Sequence, residues 1–102
     1  MDLASLEVKA VRSTEVTMPC RLGLHARTAT RFIYFARQFR SRIRIIKGEL
    51  AVDGKSILGL LALGASWKSR LRVEAQGEDA EKAIQGIEAY FLMAENCEDK
   101  NG

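Results

Sequence analysis

RLRVEAQGEDAEKAIQGIEAYFLM, residues 70–93, is the stretch on which the fold turns. Its first six residues alternate, with Leu71, Val73 and Ala75 on one side and Arg70, Arg72 and Glu74 on the other. A period of two belongs to a strand with one buried face and one wet face. After Gly77 the period changes. From Asp79 to about Met93, Ala80, Ala83, Ile84, Ile87, Phe91 and Leu92 recur at helical spacing, as on an amphipathic helix. Glu78, Asp79 and Glu81 at its start suit the positive end of the helix macrodipole. A strand with one apolar face, followed by a helix with one apolar stripe, bury both by packing the stripe on the face.

The rest of the chain repeats that design. Val11 to Met18 is rich in β-branched residues and reads as a strand, which Pro19 ends because it cannot donate to a ladder. Gly23 lies in the loop that follows. From Ala26 to about Phe39, Ala29, Phe32, Ile33 and Ala36 recur at helical spacing, with Arg27, Arg31 and Gln38 off that stripe. Arg42 to Lys47 alternates basic and aliphatic residues, turns through Gly48-Glu49 and returns as Leu50-Ala51-Val52, a hairpin. Ser56 is a good N-cap for a short apolar helix, Ile57 to Leu63, and Gly64 closes it. The order is strand, helix, strand, strand, short helix, strand, helix. It predicts an α+β fold with the helices on one side of an antiparallel sheet. Residues 1–10 read as an N-terminal extension, 11–94 as the one domain and 95–102 as a mobile tail.

The bulk numbers bound the class. A chain of 102 residues, 47% apolar and 28% charged, is an ordinary globular domain with a modest core. No apolar run approaches the roughly 20 residues that span a bilayer, and the N-terminus lacks the pattern of a secretory signal. A cytoplasmic protein without membrane insertion is expected. Cys20 and Cys97 are far apart with no ligand-spaced partners, so two reduced thiols are expected rather than a disulfide or a zinc site. The net charge is +3, with arginines crowded between Arg21 and Arg44 and carboxylates in the C-terminal third.

His25 is the only histidine. It sits where a glycine-containing loop meets a helix start, with Arg27 two residues on. The first N–H groups of a helix are unpaired and partially positive, so a phosphate placed there gains hydrogen bonds and dipole stabilisation. Arg27 adds a planar, charge-assisted fork. By position alone a histidine at a helix start is more often a cap or a surface residue. Ser56 reads first as a helix cap and secondly as a phosphorylation site, where new charge would alter partner binding. Lys55 beside it either pairs with such a phosphate or is solvated. Ile57, Leu58, Leu60 and Leu61 nearly surround a short helix; some belong to the core, others to an exposed docking patch. There is no P-loop, no nucleophile elbow, no metal set and no cofactor motif.

Gly23-Leu24-His25-Ala26-Arg27 resembles the active-site motif of the HPr family, and Lys55-Ser56-Ile57-Leu58-Gly59 resembles that family's regulatory-serine segment. The interval between them also matches, and similarity runs from about Val11 to Met93. The resemblance implies an open-faced β-sandwich, four antiparallel strands with three helices on one face. It implies a phosphocarrier of the phosphotransferase system, not an enzyme, that needs no cofactor. His25 would take phosphate on Nδ1 from phospho-enzyme I, charged by phosphoenolpyruvate, and pass it to enzyme IIA proteins in sugar uptake. Arg27 would stabilise the phosphate. Ser56 would be the target of an HPr kinase/phosphorylase, with a regulatory protein as a further partner. Leu22, Thr28, Lys55, Ile57, Leu58 and Leu61 would form the partner face of a monomer. Two features depart from the family. Thr28 stands where proline is usual, which restores an N–H, frees φ and implies a less rigid helix start. The N-terminal extension is long.

Three alternatives stay open. A nitrogen-branch carrier would have the same site and different partners. A regulatory module would bind its targets with phosphate only gating affinity. Nucleic-acid binding through the arginine-rich middle would be steeply salt-dependent; few aromatics interleave with the basic residues, so no nucleic-acid partner is expected.

Overall fold

The computed structural model describes residues 11–21, 23–93 and Cys97. The N-terminal extension and, apart from Cys97, the expected tail lie outside the described residues. The elements are β1 (Val11–Thr17), α1 (Ala26–Ala36), β2 (Arg42–Lys47), β3 (Leu50–Asp53), α2 (Ile57–Leu63), β4 (Arg70–Gln76) and α3 (Ala80–Leu92). They follow the order predicted from the sequence. The four strands form one antiparallel sheet in the order β1-β4-β2-β3.

Register explains the sheet's two faces. Val16 stands opposite Leu71, Ile45 opposite Val73, and Ile43 opposite Ala75, so one face is a continuous apolar surface. Phe32 from α1, Leu60 and Leu63 from α2, and Ala83, Ile84 and Ile87 from α3 close over it, all buried. Thr14 Oγ1 donates to Glu88 at 2.6 Å and pins α3 along β1. Phe32 and Phe35 meet Tyr90 at ring-centroid distances of 5.6 and 4.6 Å, which seats α1 against α3. Four antiparallel strands with three helices on one face make the expected open-faced β-sandwich.

The other sheet face is polar. Arg44 and Arg72 reach Glu74 at 3.5 and 3.2 Å, and Arg70 pairs with Glu15. These exposed pairs contribute little stability each. They also divide the arginines that crowd together in the sequence. Arg42 and Arg44 lie on the open sheet face, whereas Arg27, Arg31 and Arg37 belong to the helical layer.

Three expectations need correcting. First, α1 stops at Ala36 rather than near Phe39. Gln38 and Phe39 donate three residues back, to Phe35 and Ala36. The chain then swings so that the Arg40 and Ser41 N–H groups reach the Asp79 carboxylate, both at 2.9 Å. Secondly, Leu92, counted in the α3 stripe, is exposed in the helix's last turn. Thirdly, Cys20 and Cys97 are not separate thiols. They form a disulfide, with Cα atoms 5.2 Å apart across 77 residues of sequence. Cys20, in the loop after β1, and Cys97 meet against the core, a proximity that spacing along the chain does not reveal. Among the described residues no helix is long and apolar enough to cross a membrane.

Candidate functional site

The site begins with a forced turn. Gly23 has φ +74°, and a Cβ there would lie 2.6 Å from the Ala65 carbonyl oxygen and 3.2 Å from Ser66 Cα. Both neighbours are backbone, so only glycine lets the two loops close together. Leu24 N–H then donates to Ala65 O at 2.8 Å, which fixes the His25 loop against the loop that follows α2. His25 comes next, extended at φ −120° and ψ −176°, as the N-cap of α1.

The cap is reciprocal. His25 Nδ1 accepts from the Arg27 backbone N–H at 3.2 Å, and the Thr28 backbone N–H also meets the His25 side chain. In return, Thr28 Oγ1 accepts from the His25 backbone N–H at 3.0 Å. The Thr28 hydroxyl has Gly23 O at 3.1 Å and His25 O at 3.2 Å as acceptors for its own proton. This is a capping box, with histidine in the place usually held by serine or threonine. At Thr28, where a freer helix start was expected, a side-chain hydroxyl closes the cap.

The two ring nitrogens of His25 are unlike. Nδ1 lies over the helix N-terminus, where N–H groups and dipole create a positive field. Nε2 is buried with no hydrogen-bond partner among the described residues. Since Nδ1 accepts a hydrogen bond, the neutral ring carries its proton on Nε2. Nδ1 is therefore the nitrogen with a lone pair, which here accepts from the Arg27 N–H. Arg27 is exposed in the first turn of α1, which contains no acidic residue.

The remaining residues singled out from the sequence fall as follows. Ser56 caps α2, its Oγ accepting from Gly59 N–H at 3.1 Å, and Gly64 closes that helix in the left-handed region at φ +56°. Lys55 Nζ donates to Phe39 O at 2.6 Å, tying the α2 entrance to the end of α1. Leu60 and Leu63 face the core, whereas Ile57, Leu58 and Leu61 are 37%, 77% and 41% exposed on a helix that packs beside α1. Thr28 was expected on the partner face, but it is only 4% exposed and turned into the cap. Leu22 lies outside the described residues.

The sequence reading missed one group. Trp67, 44% exposed in the loop that buttresses Gly23, stacks with Arg21 at 4.9 Å and Lys68 at 4.6 Å. Lys68 holds φ +71°, an unusual conformation for a side-chain-bearing residue. No residue pattern marks that cluster, since it spans two loops joined only by the fold. Behind the His25 loop, Leu24, Thr28, Phe32, Cys20 and Cys97 help line an apolar cavity of about 30 Å³. A ligand-binding pocket usually measures roughly 300 Å³ or more, so this one has no room for a small-molecule substrate.

Comparison with known proteins gives the chain a family. The family described as PTS HPr component phosphorylation site matches residues 12–92. The phosphocarrier protein HPr of Neisseria meningitidis serogroup A is 37% identical over 75 residues, covering 70% of this chain and 84% of that protein. The phosphocarrier protein NPr of Shewanella violacea is also 37% identical, over 73 residues, covering 72% and 80%. Among solved structures, HPr-C-His from Thermoanaerobacter tengcongensis superposes with a TM-score of 0.78 at 30% identity, covering 86% of this chain and 97% of that one. The chain belongs to the HPr family and is a phosphocarrier of the HPr type, not an enzyme.

Proposed function

We propose that the protein accepts a phosphoryl group on Nδ1 of His25 from phospho-enzyme I, itself charged by phosphoenolpyruvate, and passes it to enzyme IIA proteins in sugar uptake. One observation carries this reading: Nδ1 sits with its lone pair at the N-terminus of α1, while Nε2 is buried. On transfer, the bond from phosphorus to the donor breaks as the bond to Nδ1 forms. The proton on Nε2 stays in place. Nδ1 then has no lone pair, so the Arg27 N–H turns from the ring to a phosphoryl oxygen, and the helix dipole favours the new charge. Arg27 supplies a charge-assisted hydrogen bond to the same oxygens. The next acceptor attacks phosphorus, and Nδ1 leaves with its electron pair.

The surroundings suit docking to an acidic partner. No carboxylate occurs between Glu15 and Glu49, nor between Asp53 and Glu74. Those segments include α1, α2 and both loops beside His25, so the helical face around the site is cationic. Ile57, Leu58 and Leu61 supply the apolar centre of that face and Lys55 its margin. Such a mixture steers encounter by charge and holds by apolar contact. Phosphorylation of Ser56 by an HPr kinase/phosphorylase would place about two negative charges at the edge of the patch and weaken docking to an acidic donor. The carrier works in the cytoplasm as a monomer, its domain running from residue 11 to 94.

The equal identity to an HPr and to an NPr favours a second reading, the nitrogen branch. Incubation with enzyme I, magnesium and labelled phosphoenolpyruvate tests the main one. Acid-labile, base-stable label is expected on the wild type and not on His25→Ala. Chase with sugar-specific and nitrogen-branch IIA proteins then separates the branches. Failure of wild type to take label from any donor of either branch would refute carriage and leave a regulatory binding module.

A further inference from the structure

We propose that Thr28 is a positioning residue for His25: its buried hydroxyl bridges the Gly23 carbonyl and the His25 N–H, holding Nδ1 on the Arg27 amide. The inference rests on the carrier reading for its effect on transfer, but not for its effect on the ring.

The ring's orientation has few other supports. Nε2 has no hydrogen-bond partner among the described residues, so the polar restraint on the ring comes through Nδ1 and the cap. That restraint holds only if the His25 backbone stays extended at the helix start. Upstream, Gly23 occupies a conformation open to few residues and to glycine most easily. Between these points the Thr28 hydroxyl makes a double connection, accepting from His25 N–H at 3.0 Å and facing Gly23 O at 3.1 Å. It thus ties the loop on one side of the histidine to the helix on the other. At 4% exposure it is out of reach of a docking protein. Its influence on transfer must therefore pass through His25.

Thr28→Val keeps the shape and removes the hydroxyl, and Thr28→Ser keeps the hydroxyl and removes the methyl. Ring ¹⁵N shifts of His25 report which nitrogen carries the proton, and amide exchange reports the Arg27 N–H. The wild type and Thr28→Ser are expected to show the Nε2–H tautomer and a protected Arg27 amide. Thr28→Val is expected to show mixed tautomers and a faster-exchanging amide. Its rate of phosphoryl uptake should fall about tenfold at unchanged KM for the donor, the scale of one lost hydrogen bond. Thr28→Ser should restore most of that rate. Thr28→Ala serves the same comparison if Thr28→Val does not fold. Wild-type ring shifts and amide protection in a folded hydroxyl-less variant would overturn the proposal, as would equal defects in the valine and serine variants. Altered ring shifts in a protein that takes no phosphoryl group even as wild type would uphold the positioning role while refuting carriage.

Discussion

Breaking the Cys20–Cys97 disulfide is the perturbation whose size can be worked most directly from the structure. The bond closes a loop of 77 residues, most of the domain. In the chain-entropy treatment, such a cross-link removes about 15 cal/mol/K from the unfolded state, or about 4.5 kcal/mol at room temperature. Domains of this size are stable by only about 5–15 kcal/mol, so reduction removes between about 30% and about 90% of the total. The variant Cys20→Ser/Cys97→Ser avoids reductant and leaves two small polar side chains. Guanidinium unfolding of the two proteins should show the variant's midpoint sharply lower. Its m-value should be higher, because the uncross-linked chain exposes more surface on unfolding. Thiol titration of the denatured, unreduced wild type should find no reactive cysteine. Two reactive thiols per chain, or a midpoint unmoved by the double substitution, would refute the tether.

Four further outcomes follow from particular contacts. Gly23→Ala places a Cβ against the Ala65 carbonyl in a left-handed backbone; it should cost about 2–3 kcal/mol in denaturant unfolding and slow phosphoryl uptake. Ser56→Ala deletes the α2 cap bond to Gly59 N–H and should cost about 1 kcal/mol, with Ser56→Asp restoring most of it. Leu58→Ala removes the most exposed side chain of the apolar patch. It should leave the unfolding midpoint within about 0.5 kcal/mol of wild type while raising KM for the donor, and an unchanged KM would remove α2 from the docking face. The Asp79 carboxyl is held below its usual range mainly by the Ser41 hydroxyl, against some desolvation, with help from the Arg40, Ser41 and Asp79 N–H groups. A depressed folded value means that its contribution is present above the ordinary carboxylate range and lost as pH falls through the depressed one. Stability measured from pH 5 to pH 2 should therefore decline less steeply in Asp79→Asn than in wild type, and parallel curves would contradict the assignment.

The element order was legible because the period of apolar residues changes cleanly from two at Leu71, Val73 and Ala75 to helical spacing at Ala83, Ile84 and Ile87. The site was legible in part. His25 stood out as the only histidine at a loop-to-helix junction, and Ser56 as a cap. What was not legible depends on the fold. Asp79 ends α1 from 38 residues away through Ser41, and no local propensity announces that. The disulfide joins residues 77 positions apart, and neither carries a local mark of its partner. Thr28 read as a missing proline and a looser start, since a backbone argument does not show that the hydroxyl can reach both Gly23 and His25. Burial of Nε2, which sets it apart from the hydrogen-bonded Nδ1, arises from packing around the ring and has no signature in sequence.

The site of phosphorylation tests the difference between the two ring nitrogens most directly. The protein, labelled with ¹⁵N at His25 and charged from phosphoenolpyruvate through enzyme I, can be read by ¹⁵N–³¹P coupled NMR. Coupling to Nδ1, with the proton retained on Nε2, is the result this geometry predicts. Phosphorus on Nε2, or on any residue other than His25, would contradict it.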